Sequence, residues 1–419
     1  KVEAVTVGVL KNFVGGQRRG RLHPGLRVVV MGGSLGGLTT ALILRDIGCD
    51  VEVYERSEAP LEGRGAGIVL HPATVRYFIE NDALDIGEIS TSTRWVRYMD
   101  RYGSTAAEHP FSYRFTSYNA LYRGLLGCFD ENRYRLGEEV VGFDQDAGGV
   151  TVRLASARRE RCHLLVCADG IHSTGRRLLL PNVTPVYAGY VGWRGTVEEA
   201  DLTPETFAAL REAITYYVLP NSHTLVYPIP GTDGSLKPGR RFYNWLWYRN
   251  VAEGPELNSL MTDRRGVMHE VSLGPGDVQE RHIEELRDAA ASALPPPHAE
   301  VLFKTAEPFV QAVFDIEVPR MAFGCVCLIG DAAFTLRPHA AAGTAKAAED
   351  AWKLGGAVLE TGGDVAAALE RWEPGQLKLG RRILARTRDA GQRSQFEGTW
   401  RTGDPLPFGL YEVGDSSIP

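Results

Sequence analysis

The sequence predicts an α/β protein in two parts: a core of parallel strands alternating with helices, built from two separated stretches of chain, and a second, mostly antiparallel sheet formed by the stretch between them. Three features predict this. Residues 26–55 read as strand, glycine-rich turn, helix and strand. Residues 185–305 change to aromatic-rich, β-type segments separated by Pro and Gly. After residue 320 the parallel-sheet pattern returns, with FGCVCLIGD as a buried strand and GTAKAAEDAWKLGGAVL as an Ala-rich helix.

Taken in order, residues 1–25 join the apolar VEAVTVGVL to the basic, turn-forming QRRGRLHPG. A secretory signal places its charges before the apolar core, so this stretch reads as an extension. LRVVVM is apolar throughout, as a strand buried on both faces requires, and GGSLGG breaks it. LTTALILRDIG has apolar residues at helical spacing, Gly48 closes it, and DVEVYE is a second parallel strand. Residues 73–80 and 118–129 read as helices. EEVVGFDQD, GVTVRLAS and RCHLLVCAD, with the Gly148-Gly149 turn, read as an antiparallel meander. Residues 364–390 read as one long amphipathic helix and 391–419 as an irregular tail. The expected boundaries are an extension at 1–25, a nucleotide domain at 26–184 and 306–390, a substrate domain at 185–305, and the tail.

With 419 residues, 44% hydrophobic and 23% charged, the chain is long enough for two buried cores. A net charge of −6 gives no attraction to nucleic acid or anionic lipid, which leaves a small molecule as the expected partner. No apolar run reaches the roughly 18 residues a membrane span needs. Six scattered cysteines, several within apolar runs, read as buried thiols in a reducing, cytoplasmic compartment, and Cys325-x-Cys327 lacks the spacing of a zinc site. No metal is expected.

The turn Gly32-Gly33-Ser34-Leu35-Gly36-Gly37 between strand and helix is where backbone N–H groups and the positive helix end meet a pyrophosphate. Gly32 and Gly37 match the G-x-G-x-x-G fingerprint, and Ser34 replaces its middle glycine. Glu55 ends the next strand 23 residues beyond Gly32, close to the roughly 20 expected of an acid that grips ribose hydroxyls. Such an acid would repel a 2′-phosphate, so FAD or NAD fits. CADGIHSTGRR at 167–177 and LIGDAAFTLRPHAAAG at 328–343 each set an Asp beside a Gly after an apolar strand, where the acid can accept bonds from sugar-alcohol hydroxyls. An enzyme that binds only nicotinamide needs no such pair, which favours FAD.

With these three motifs in this order, residues 26–390 resemble the class A flavoprotein aromatic hydroxylases, the family of para-hydroxybenzoate and salicylate hydroxylases. FTSYNALYRGLL, YAGYVGWRGTV, LVYPIPG, NVAEGPELNSLMTDRRG and RPHAAAG look like the branch that hydroxylates dihydroxypyridines. The resemblance implies a discontinuous Rossmann-like FAD-binding domain with a mostly antiparallel β-sheet substrate domain. It implies that Ser34, Leu35 and Gly37 hold the pyrophosphate, that Glu55, beside Arg56, holds the ribose, and that Val140 contacts the adenine. Asp331 would bind the ribityl chain, and Ala341, Ala342, Gly343, Thr344 and Ala345 would lie along the flavin and phosphates. Asp169 and Gly170 match the motif that the family links to FAD and the pyridine nucleotide. Three positions depart from the family pattern: Tyr118 for an Arg, Phe334 for a His, and Gly175 for a Val.

The activity so implied is hydroxylation of an electron-rich ring through a flavin hydroperoxide, with NADH or NADPH as transient co-substrate, O2 as oxidant and a homodimer as the family's assembly. A base that deprotonates a ring hydroxyl would strengthen its electron donation. The candidates are His339, Tyr217, His223 and Tyr227. His71 and Pro338 are expected on the same side of the flavin, and Trp193 and Arg194 in GWRG are expected in the substrate wall, with the Arg holding an anionic ring. The plainer readings stand beside these: sheet tyrosines fill cores, Arg194 forms a salt bridge, and the Trp245-x-Trp247 pair is core or dimer surface. Three alternatives stay open, namely an epoxidase or natural-product tailoring monooxygenase, a flavin-binding protein without turnover, and an NAD dehydrogenase.

Overall fold

The computed structural model describes residues 25–63 and 67–418. The expected extension, residues 1–24, and the first two residues of the GAGIVL run lie outside the described residues.

Six strands form the nucleotide-side sheet, in the spatial order Ala322–Phe323, Val326–Leu328, Leu164–Cys167, Arg27–Met31, Asp50–Glu55, Tyr134–Leu136. All its pairings are parallel except the hairpin at the first edge. Val28, Val29 and Val30 are fully buried, as a strand covered on both faces requires. The helix Leu35–Asp46 is buried along nearly all its length between this sheet and the helix Gly343–Glu360. Gly355 permits the approach, because a Cβ there would stand 2.5 Å from Ile43 Cγ2. At roughly 1.5–3 kcal/mol per buried branched side chain, this interlock anchors the Gly-rich turn at the sheet's C-terminal edge.

The run RCHLLVCAD divides in two. Arg159–Cys162 completes the expected meander with Gly149–Leu154 and Val140–Asp146, while Leu164–Cys167 crosses into the parallel sheet beside Arg27–Met31. His163 marks the crossing: its N–H donates to the Arg27 carbonyl at 2.8 Å and its Nδ1 accepts from the Arg27 N–H at 2.9 Å.

The second sheet has eight strands, ordered Ser272–Leu273, Phe309–Asp315, Val186–Glu198, Phe242–Asn250, Ser222–Ile229, Ala213–Leu219, Trp95–Met99, Thr105–Pro110. It is antiparallel except where Ala213–Leu219 meets Trp95–Met99. It therefore draws on Trp95–Pro110 and Phe309–Asp315, outside the 185–305 span expected of it, because those segments supply the edge pairings that the aromatic strands leave open. Side chains alternate across its two faces. Trp193, Trp245 and Trp247 point to the face packed against the helices Glu280–Ala293 and Pro296–Phe303. Leu225, Tyr227, Leu246 and Tyr248 point to the other. The long helix expected over 364–390 spans Val365–Gln392. Among the described residues no helix is long and apolar enough to cross a membrane.

Candidate functional site

Two cavities lie along the nucleotide-side sheet. The smaller, of about 310 Å³, is lined by Gly32, Ser34, Glu55, Arg56, Val140, Asp169 and Gly170, so the motif residues of three separate segments converge there. Gly32 adopts φ +98°, and a Cβ on it would stand within 3 Å of the Ala168 and Asp169 backbone. A Cβ on Gly37 would collide with the Gly32 carbonyl. The turn is thus closed to any side chain at either position, so the backbone at the start of Leu35–Asp46, whose first N–H groups have no intrahelical acceptor, stays open to a ligand. Leu35 and Gly37 contribute from that first helical turn and not from the cavity wall. Glu55 stabilises the turn from the next strand, accepting the Gly33 N–H at 2.8 Å and the Ser57 N–H at 2.9 Å. Its carboxylate faces the cavity with lone pairs to spare. Ser34 Oγ lies 2.7 Å from the Tyr118 hydroxyl, and both line the cavity.

The two Asp motifs divide their work. Asp169 is consumed within its own loop, accepting from Ser173 Oγ at 2.6 Å and from the Thr174 and Gly175 N–H groups at 2.7 and 3.3 Å. It shapes the turn. Asp331 is different: among the described residues its carboxylate has no hydrogen-bond partner, and it opens into the larger cavity. Surrounding protein pushes its carboxyl up to about 6, against the opposing pull of Arg176. The guanidinium of Arg176, itself buried, joins the two motifs by donating to the Ala332 carbonyl at 3.0 Å and the Ile171 carbonyl at 2.5 Å. A bare phosphate cradle at one end and an unpartnered carboxylate at the other fit a long dinucleotide with a polyol arm, and FAD has that form.

The larger cavity, of about 570 Å³, lies between the loop Asp331–Thr344 and the free face of the eight-stranded sheet. Pro338, His339, Ala341, Ala342, Gly343 and Thr344 form one wall, and Ala345 is buried behind them. Ala341 sits at φ +51°, a left-handed conformation that costs an alanine roughly 1–2 kcal/mol and turns the loop toward the helix Gly343–Glu360. The opposite wall holds Arg194, Tyr216, His223, Tyr227 and Tyr248. Tyr227 donates to the Gly67 carbonyl at 2.9 Å and stacks on Phe115 at 4.4 Å. Burial pushes its hydroxyl up to about 12, with Arg194 opposing. His339 is bonded through Nε2 to the Tyr190 hydroxyl at 2.7 Å, and burial followed by the Arg337 charge lowers it to about 3. His223, 5.5 Å from it ring to ring, is pushed well below the usual imidazole range by burial and by His339.

Four arginines line this cavity. Arg337 is paired with Asp315 at 2.8 Å, Arg393 with Asp404 at 3.2 Å, and Arg386 donates to the Gly409 and Leu410 carbonyls. Arg194 has no hydrogen bond or ion pair among the described residues, and its Nε is sealed from solvent. The salt bridge that a plainer reading assigns to it is absent among the described residues.

Several expectations are corrected. Tyr217 points away from the cavity and Tyr216 into it, because side chains alternate and Tyr216, not Tyr217, pairs with Leu225 on the cavity face. Trp193, adjacent to Arg194, is on the helix-covered face for the same reason. His71 is no part of the wall: its Nδ1 accepts the Ala73 N–H and caps the helix Pro72–Asn81, and its Nε2 meets Asp415 at 3.1 Å. That contact, with N–H groups from Leu410 and Glu412, holds the Asp415 carboxyl at about 2 despite the opposing effect of partial burial. Phe334 is fully packed, facing Gly380 and the buried Lys346, and does not reach the ligand space. The tail is irregular beyond Glu397, as expected, and it also serves as a wall: Trp400, Pro405, Pro407, Phe408 and Val413 line the larger cavity. Sequence reasoning missed these residues and Arg176, whose side chain crosses between motifs that lie 156 positions apart. The pairing of Trp400 with His223 at 4.5 Å was equally invisible, since no local pattern marks it.

Comparison with known proteins gives four findings. A family model described as FAD binding domain-like matches residues 187–315. A 2,6-dihydroxypyridine 3-monooxygenase of Paenarthrobacter nicotinovorans is 38% identical over 399 residues, covering 94% of this chain and 98% of that protein. An FAD-dependent urate hydroxylase of Klebsiella pneumoniae is 28% identical over 421 residues, covering 93% and 98%. Among solved structures, 2,6-dihydroxypyridine-3-hydroxylase from Arthrobacter nicotinovorans superposes with a TM-score of 0.88 at 37% identity, covering 95% of this chain and 99% of that one.

Proposed function

The chain belongs to the class A flavoprotein aromatic hydroxylases, and on that premise we propose that it hydroxylates a dihydroxypyridine or a closely related hydroxylated heteroaromatic ring. It is an FAD-dependent monooxygenase of small aromatic substrates. The use of NADH or NADPH as electron donor and a homodimeric assembly rest on family membership.

The observation that carries the substrate assignment is Arg194. A half-buried guanidinium in an aromatic wall, with its Nε sealed and no partner among the described residues, turns its free donors to the cavity, where a ligand that brings an anion satisfies them. Hydroxypyridines ionise readily, and their planar anions offer oxygen and nitrogen lone pairs in the plane of the guanidinium fork. Tyr227, Tyr248 and Leu225 supply flat apolar walls that keep water from the ring. Gly32, Gly37 and the first turn of Leu35–Asp46 would hold the pyrophosphate of FAD, Glu55 the adenosine ribose, and Asp331 the ribityl hydroxyls. Bound there, the flavin supplies the oxygen activation that no side chain can.

Two alternatives lose their motive. The cavity must take the flavin ring as well as the substrate, and about 570 Å³ for both favours a single small ring over a large natural product. Phe334, which with the altered glycine fingerprint motivates the reading without turnover, is buried and does not line the cavity. The deciding experiment is aerobic assay of the FAD-loaded protein with NADH or NADPH and a panel of hydroxypyridines and phenols. We expect 2,6-dihydroxypyridine to stimulate cofactor oxidation and to yield a product heavier by one oxygen. If no member of the panel does so, the substrate class is wrong.

A further inference from the structure

We infer that His339 serves the reaction as a fixed hydrogen-bond donor, presenting Nδ1–H to an oxygen of the bound ring, and that Tyr190 and Arg337 are the positioning residues that set this tautomer. The inference rests on the hydroxylase reading above, and it replaces the general-base role that the sequence suggests for His339.

The argument follows protons along one chain of contacts. Asp315 takes the Arg337 fork through Nε at 3.0 Å and Nη2 at 2.8 Å, and Arg388 Nε adds to the same carboxylate at 3.1 Å. The remaining nitrogen, Arg337 Nη1, and the Tyr190 hydroxyl flank the same spot, since a Cβ on Gly391 would stand within 3 Å of both, and the guanidinium carbon lies 5.8 Å from the Tyr190 ring centre. A guanidinium has only donors, so Arg337 turns positive charge and no lone pair toward this side of Tyr190 Oη. The hydroxyl owns one proton, and its other neighbour is His339 Nε2 at 2.7 Å. Tyr190 therefore donates to Nε2. A neutral imidazole that accepts at Nε2 carries its proton at Nδ1.

Nδ1 has no protein partner among the described residues, and His339 lines the cavity. The groups that face the ring are Tyr190, Tyr248, His223 and Arg337, with Asp315 behind the last, and none of them places a carboxylate against Nδ1. Burial and the Arg337 charge keep the ring neutral, in agreement with the wiring. A general base would need a lone pair turned to the substrate, and here that lone pair is turned to Tyr190. With Arg194 unpaired nearby, this wall offers donors to a ligand that has oxygen lone pairs to give. The proton of the ring hydroxyl is then lost to solvent before or during entry, and the protein holds the anion it receives.

The direct test is the nitrogen NMR spectrum of the FAD-loaded protein labelled with ¹⁵N-histidine, with His339→Asn used to assign the signal. The expected result is a neutral Nδ1–H tautomer from pH 6 to 9, which becomes a mixture of tautomers in Tyr190→Phe. A neutral Nε2–H tautomer, or an imidazolium within that range, overturns the inference. The second arm uses 2,6-dihydroxypyridine. An asparagine amide can copy the Nδ1–H but cannot act as a base, so H339N should keep kcat/KM within about tenfold of wild type while His339→Ala loses about a hundredfold, the range for hydrogen bonds to charged groups. Equal losses in the two variants count against a donor. If the probe is not turned over at all, the hydroxylase reading fails, and the spectrum still decides the tautomer.

Discussion

The hydroxyls of Ser34 and Tyr118 meet at 2.7 Å across the smaller cavity. Ser34 stands where the dinucleotide fingerprint has its middle glycine and Tyr118 where the family commonly has an arginine, so two departures that are 84 positions apart form one contact. The serine hydroxyl gains a partner and the tyrosine keeps the pocket closed. Tyr118→Phe should therefore weaken FAD by about three- to tenfold, the worth of one net hydrogen bond. Ser34→Ala should cost a similar amount, and the double variant no more than either single one. Fluorescence titration of apo-protein with FAD measures all three, and additive losses would show that the pair does not act as a unit.

Protein packed around the Asp331 carboxyl raises it to about 6 although the residue is open to the cavity, so the folded apo-protein holds its proton more tightly than the unfolded chain does. The stability linked to that proton is fully present below about pH 4 and is lost as pH rises through 6. Asp331→Asn removes the dependence. Thermal melts of apo-protein should show the variant more stable than wild type at pH 8 and equal to it at pH 3.5, while its FAD affinity falls by about tenfold or more, as expected when a charged acceptor of hydroxyl bonds is removed. Equal differences at both pH values would rule out Asp331 as the titrating group.

Arg194→Met keeps the side-chain bulk and removes the charge that awaits the substrate anion. KM for 2,6-dihydroxypyridine should rise by about a hundredfold, with FAD affinity unchanged and the free protein no less stable, because the half-buried charge has no partner among the described residues to lose. Arg194→Lys should recover only part, since an ammonium lacks the planar fork. Steady-state kinetics and a melt of the free variant decide this. A lower Tm in R194M would mean that the guanidinium has a structural partner.

A methyl group on Gly37 collides with the Gly32 carbonyl. Gly37→Ala should accordingly abolish the yellow colour of the purified protein without unfolding the eight-stranded sheet, whose core is separate. Absorbance at the flavin bands together with near-ultraviolet circular dichroism tests both halves of the statement. Retained FAD would show that the turn relaxes.

The parallel core was legible because each of its signals is local: VVV between polar ends, glycines at a turn, and an acid at the end of the next strand all act within one βαβ unit. Glu55, Val140 and Asp169 meet where their motifs placed them. The substrate face was harder. The strand over Ala213–Leu219 was evident, yet which of Tyr216 and Tyr217 faces the cavity depends on the pairing of Tyr216 with Leu225, and register is a long-range property. The same single-residue step separates Trp193 from Arg194. His71 stands just before the Pro that opens its helix, and its other partner, Asp415, lies 344 positions away. The tail gave no periodic pattern at all, because it is held by contacts such as Tyr98 to the Asp404 carbonyl at 2.5 Å and His109 to the Gly403 carbonyl at 2.8 Å.

That tail separates two kinds of evolutionary change. Trp400, Pro407 and Phe408 shape the chamber where a ring would sit, yet they belong to neither sheet and lie far from the phosphate cradle. Replacing them alters which molecules fit while the machinery that grips the coenzyme stays as it is. A lineage of such enzymes can thus explore new diets by editing the segment 400–413, and a protein engineer can do the same.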